Sequence, residues 1–188
     1  GLVKFDYNKN KSEITYEIKK NFLNFIFLDK SLNKDFRYKG NINFIPFFSV
    51  ILGDIKKFNV NQIFNSGSLY VQLLKTELLN NKNLNINTTI MAEQISPYND
   101  LNNLVLNLKI EDGLLDINES KFSWLDYVDF KISDSLLYVK DNNLLFDGNI
   151  LVNIYDVNEI YKFFQTPRNY RKEIKKIRFN FIYNFDQK

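Results

Sequence analysis

Apolar and polar side chains alternate along most of this chain, and the alternation is clearest between residues 101 and 165. Leu104, Leu106, Leu108 and Ile110 alternate with Val105, Asn107 and Lys109, so a strand here carries one apolar face and one mostly polar face. Glu111-Asp112-Gly113 follows, with a glycine that tolerates positive φ behind an acidic residue, and Leu115 and Ile117 resume the period on a returning strand. Val128, Phe130 and Ile132 alternate again. Leu136 to Val139 form a short apolar run, and Asp141-Asn142-Asn143 interrupts it before Ile150, Val152 and Ile154. The pattern predicts an antiparallel meander.

After Ile154 the period lengthens from two to about 3.6. Val157, Ile160, Tyr161 and Phe164 fall on one helix face, Asp156 and Glu159 have the spacing of a capping box, and Thr166-Pro167 ends the helix. A second helix is predicted over 66–80, capped by Ser66 or Ser68, with Leu69, Tyr70, Leu73, Leu74 and Leu78 at helical spacing and Asn80-Asn81 as its end. The N-terminal part uses strand grammar: Val3, Phe5 and Tyr7, a turn cluster at 8–11, then Ile14, Tyr16 and Ile18. Leu23, Phe25 and Phe27 continue it, followed by Phe36 and Tyr38. Further strands are predicted at Leu84, Ile86, Thr88 and Ile90, and at Ile177, Phe179, Phe181, Tyr183 and Phe185.

At 188 residues the chain is long enough to bury about 70 % of its unfolded surface, and no Pro/Gly/Ser-rich linker divides it. It reads as one β-rich domain over 1–188, and a start at Gly1 without methionine reads as a segment of a larger protein. The 18 Phe and 11 Tyr reinforce the strand assignment. The abundance of Asn, Lys and Ile matches an AT-rich coding bias. A net charge of +3 is too mild to require a nucleic-acid partner, and none is expected. No Cys and no His are present, which removes disulfides, thiolate metal sites, cysteine nucleophiles and the commonest general base and metal ligand. The apolar runs NFLNFIFL and FIPFFSVIL are too short and interrupted to span a membrane, and neither has the form of a cleaved signal.

The acids Asp112 and Asp116, or Asp126 and Asp129, offer the pair that glycoside hydrolysis requires, but turns and strand edges account for Asp at these places. Phosphate loops, nucleophile elbows and zinc-helix motifs are missing from the sequence, so neither enzyme activity nor a cofactor or metal is expected. Arg168, Arg171, Lys172, Lys175, Lys176 and Arg178 form the one dense basic patch, interleaved with Tyr170, Ile174 and Ile177. Such a patch is accounted for by a solvated face in a Lys-rich chain, and it also suits anionic lipid headgroups or nucleic-acid phosphates. The apolar strand faces meet across a closed sandwich, or they leave surface open to a ligand because only two short helices are available to cover them.

Taken in order, LLKTELLNNKNLNINTTIMAEQI, LNNLVLNLKIEDGLLDI, LLFDGNILVNIYDVNEIYKFFQ and the basic strand after them resemble the AsmA-like proteins of Gram-negative bacteria, relatives of TamB. The resemblance covers about two-thirds of the chain and contains no catalytic signature. It implies a periplasmic β-rich groove, attached to the inner membrane by an anchor outside this stretch and carrying phospholipid in outer-membrane biogenesis. The expected fold is mainly β with two short α-helices, an antiparallel meander forming a curved, groove-like sheet, with a closed β-sandwich as the alternative. The expected contacts to acyl chains are Leu104, Leu106, Leu108, Ile110, Ile150, Val152 and Ile154, then Phe179, Phe181 and Tyr183; the six cations of the basic patch are the headgroup candidates. Exposed strand edges would pair with other protein segments. The alternative function is an interaction, adhesin or assembly module without lipid.

Overall fold

A computed structural model of the chain describes residues 1–7, 10–31, 34–63 and 67–187. Among the described residues, twelve strands form one sheet. The first five are β1 (Leu2–Tyr7), β2 (Asn10–Lys19), β3 (Phe22–Ser31), β4 (Lys34–Phe44) and β5 (Phe47–Asn59). Two helices follow, α1 (Val60–Ile63) and α2 (Leu69–Lys75). The remaining strands are β6 (Ile86–Ser96), β7 (Leu101–Glu111), β8 (Leu114–Asp116), β9 (Lys121–Trp124), β10 (Val128–Lys140) and β11 (Asn143–Ile154). Helix α3 (Val157–Phe163) and a 3-10 turn (Arg168–Tyr170) then lead to β12 (Lys176–Asn184).

Chain neighbours joined by tight turns pair antiparallel, whereas β5 and β6 pair parallel because the 60–85 connection carries the chain back across the sheet. In the turns after β7 and β10, both central residues have positive φ: Asp112 and Gly113 in one, Asp141 and Asn142 in the other. These turns match the twist of the strands they join, as the acid-glycine signal predicted for the first of them. Gly113 is also packed closely, since a Cβ there would lie 2.6 Å from the Asn80 carbonyl oxygen.

Because side chains alternate in direction, the register decides what shares a face. Ile18, Leu23, Ile42, Ser49, Ile86, Ile110, Leu115, Leu137, Phe146 and Tyr183 stand opposite one another in turn, a single row running from β2 to β12. All twelve strands belong to this one sheet, so two stacked sheets are not the arrangement. The sheet is curved. Positive-φ residues Asn103 and Asp134 lie where the β7–β9 and β10–β11 registers slip, and bulges of this kind bend a strand. On the inner face Phe25 lies over Gly40 and Tyr38 over Gly53, where an added Cβ would come within 2.9 Å and 2.6 Å of the rings.

Strands β8 and β9 are two parts of one path, separated at residues 117–120. Ile117 and Ser120 of the break are buried, and side chains tie it to the strands on either side. Ser135 Oγ accepts from the Ile117 amide at 2.9 Å, Asn118 Oδ1 accepts from the Ser135 amide at 2.7 Å, and Ser120 Oγ accepts from the Asn107 amide at 2.9 Å.

Helix α2 is shorter than 66–80. Ser68 caps it, accepting from the Val71 amide at 3.2 Å, while Ser66 lies outside the described residues. The helix ends before Asn80 because the Thr76 hydroxyl bonds back to the Leu73 carbonyl and Glu77 turns left-handed. Asp156 caps α3 as expected, accepting from the Asn158 amide at 2.9 Å. The other half of the capping box is replaced: Glu159 pairs with Lys162, and the Asp156 amide donates to Tyr127. Phe164, placed on the buried helix face by spacing, is instead the C-cap residue and exposed. The turn cluster at 8–9 lies outside the described residues, and Asn10 and Lys11 already belong to β2.

Candidate functional site

The core sits on the inner face of β5 to β11. Ile55, Phe58, Ala92, Ile95, Leu104, Leu106, Ile110, Leu115, Ile117, Ile132 and Leu137 form one cluster, and Val60, Leu74, Leu79 and Leu84 from the 60–85 connection pack onto it. Between floor and roof lies a cavity of about 570 Å³. Its floor includes Leu104, Leu106 and Leu108 with Ile132 and Leu137, its roof includes Val60 and Leu74, and its walls include both Phe58 of β5 and Tyr183 of β12. That β5 and β12 wall the same space shows how far the sheet curls. Asn61, Tyr98 and Tyr183 belong to the lining and are exposed, so the cavity communicates with solvent.

The lining is almost wholly apolar. Ser120 is its buried polar group, and that hydroxyl is already committed to the Asn107 backbone. Such a space favours an apolar ligand that makes few directional hydrogen bonds.

The roof is fastened at its far end by one charge pair. Lys75 at the end of α2 reaches Asp186 at 2.8 Å, and the other Asp186 oxygen accepts from the Leu144 amide at 3.0 Å. The Lys75 hydrogen bond and then the Leu144 amide hold the Asp186 carboxyl below the usual carboxylate range.

All ten apolar candidates lie on the inner face, but in three environments. Leu104, Leu106, Leu108 and Tyr183 line the cavity. Ile110 is buried in the core beside it, and Ile150 bridges to a second cluster, where Val152 and Ile154 pack with Val128 beneath Val157 and Ile160 of α3. Phe179 is exposed, and Phe181 meets the Phe146 ring edge-on at 4.8 Å between centroids. The cavity residues absent from those candidates include Phe58 at the end of β5, Ile95 at the end of β6, and Val60 and Leu74 of the crossover, for which a helix between two strands was the available signal.

The six cations are all exposed. Arg168, Arg171, Lys172 and Lys175 occupy the stretch between α3 and β12. Lys176 and Arg178 alternate with Ile177 and Phe179 and so lie on the opposite face of β12. Tyr161 holds this stretch in place: its half-buried hydroxyl donates to the Lys172 carbonyl and accepts from the Lys172 amide at 2.8 Å, while Arg171 lies over its ring.

Of the acids considered for catalysis, Asp116 and Asp129 serve the backbone and neighbouring hydroxyls, and Asp112 and Asp126 lie in turns. Asp116 accepts from the Asn118 amide, and Asp129 accepts from Ser123 and from Tyr155, whose phenol pKa that bond raises. Among the described residues, no three acids gather to hold a metal, and no helix is long and apolar enough to cross a membrane. No family model, curated protein or solved structure matches the chain.

Proposed function

We propose that this chain is a segment of a lipid-binding β-groove, of the kind implied by the AsmA-like resemblance, that shields phospholipid acyl chains from water. The observation that carries this is the ten-residue row from Ile18 to Tyr183, apolar at every position but Ser49, continuous over ten strands and roofed only in its middle. Exposure along it falls from 64 % at Ile18 to 2 % at Ile110 and rises to 53 % at Tyr183. Burying an acyl chain on such a surface gains roughly 0.8 kcal/mol per methylene without requiring a specific polar partner. The cations of 168–178 then serve lipid headgroups. Periplasmic location, attachment to the inner membrane through another part of the protein, and a role in outer-membrane biogenesis belong to the same proposal.

The test is native mass spectrometry after detergent-free purification, followed by titration with a fluorescent fatty acid. Stoichiometric binding is expected, weakened at least tenfold when Leu74→Trp or Leu108→Trp fills the cavity from roof or floor. A lipid-free protein that ignores the probe overturns the proposal. A second function is favoured by one observation: among the described residues, β1 and β12 each pair on one side only. A lipid-free chain that associates through those edges would be an interaction module.

A further inference from the structure

One rim of the sheet differs from the other in both charge and side-chain type. It is formed by residues 97–100, α1, 125–127 and the whole stretch from Tyr155 to Lys175, since β5, β6, β9 and β11 end there and β7, β10 and β12 begin there. Backbone bonds join these turns: Leu125 donates to Asp100 at 2.9 Å, and Tyr155 donates to Tyr127 at 2.8 Å. Exposed on the rim are Tyr98, Tyr155, Phe163, Phe164 and Tyr170. Trp124, the chain's one tryptophan, stands edge-on to Phe163 at 5.0 Å, and Phe163 to Phe164 at 5.1 Å.

Beside this aromatic group, 168–178 carries six cations and one acid, Glu173, which pairs with Lys175. The excess of five positive charges exceeds the +3 of the whole chain, so the other residues together are net negative. Rim acids are present too: Asp156 caps α3, Glu159 pairs with Lys162, and Asp100 and Asp126 lie in the neighbouring turns. Arg168, Lys172, Lys176 and Arg178 have no carboxylate partner among the described residues. At the opposite rim the turns of this half hold Asp112-Gly113, Asp141-Asn142 and Asp186.

We infer that this rim docks on the surface of an anionic lipid bilayer, with Phe163, Phe164 and Tyr170 entering the headgroup region and the unpaired cations meeting lipid phosphates. Exposed aromatic side chains favour the boundary between water and lipid, and Lys or Arg near an anionic surface each contribute about fivefold in affinity. Single-stranded nucleic acid would use a groove that tracks its backbone past successive aromatic rings, whereas this rim is built from turns and a helix end. Docking in this orientation turns the cavity wall at Asn61 and Tyr98 toward the bilayer. The inference stands on the rim alone and does not require the cavity to be filled.

The experiment is co-sedimentation of the whole chain with vesicles of phosphatidylcholine and phosphatidylglycerol in equal parts, against vesicles of phosphatidylcholine only, with Trp124 fluorescence as a second readout. Binding to the anionic vesicles is expected, with quenching of Trp124 by brominated acyl chains. The triple variant Arg168→Gln, Lys172→Gln, Lys176→Gln should lose roughly a hundredfold on anionic vesicles and nothing on neutral ones. Phe164→Ser with Tyr170→Ser should weaken binding and abolish the quenching. These positions are exposed, and an unchanged melting temperature verifies that each variant is folded. Equal sedimentation of wild type and triple variant, an unquenched Trp124, or tighter binding to a single-stranded oligonucleotide than to anionic vesicles overturns the inference. The fatty-acid titration reads the groove separately, so either proposal can fail while the other stands.

Discussion

The two ends of the sheet obey the same strand grammar and meet solvent differently. In β1 to β4 the inner face carries Val3, Phe5, Ile14, Tyr16, Phe25, Phe27 and Tyr38, and no helix packs on it among the described residues; Val3, Phe5 and Ile18 are exposed. In β6 to β11 the inner residues are no more apolar, but α2 and α3 press on them, and Ile110, Leu115, Val128 and Leu144 are almost fully buried. Alternation therefore determines which residues share a face, while the covering segments determine which of them are core. An apolar stripe becomes a candidate binding surface only where cover is missing.

This contrast makes mutations at equivalent row positions unequal. Ile110→Ala should lower the unfolding free energy by roughly 2–5 kcal/mol, whereas Ile18→Ala on the same row should change it by less than about 0.5 kcal/mol. Urea denaturation of both variants decides it; equal losses would mean that the open half is covered in solution. A smaller effect comes from the roof over the second cluster. Asp156→Ala removes the α3 cap and should lower stability by about 1 kcal/mol, with the Trp124 emission shifting as Phe163 loosens. The smallest concerns the Lys75–Asp186 fastening. The folded-state pKa of Asp186 is depressed, so its contribution is present above the ordinary carboxylate range and is lost as the pH falls through and below about 4. Lys75→Met should flatten that acid dependence and speed exchange of a bound fatty-acid probe while leaving the cavity lining unchanged. An acid profile identical to wild type would show that the roof is held by packing alone.

Much of this was legible in the sequence. Period-two alternation located the strands, Asp112-Gly113 located a hairpin, and Asp156 located the start of α3, because each signal is local and backbone-dictated. The parallel pairing of β5 with β6 was not, since it joins residues far apart in the chain. The same non-locality hid the cavity, whose lining mixes β5 and crossover residues with the predicted β7 stripe. Phe164 misled because helical spacing continued one residue past the place where α3 stops, turning an expected core residue into a rim residue. The basic run at 168–178 was visible as composition; its aromatic neighbours became visible as a group only when turns distant in sequence came together.

The β5–β6 seam also bears on how the molecule reaches its native state. Hairpins such as the one turning at Asp141-Asn142 close over two residues, but Ser49 meets Ile86 only after a loop of 36 intervening residues has closed. Loop-closure entropy and the dependence of folding rate on contact separation place this pairing late, after two antiparallel meanders have formed on either side. Until the seam forms, β5 and β6 each present an unpaired edge, the Ser49 amide and the Asn85 carbonyl among the groups left without their partners. That interval is when this chain is most exposed to pairing with a second copy of itself.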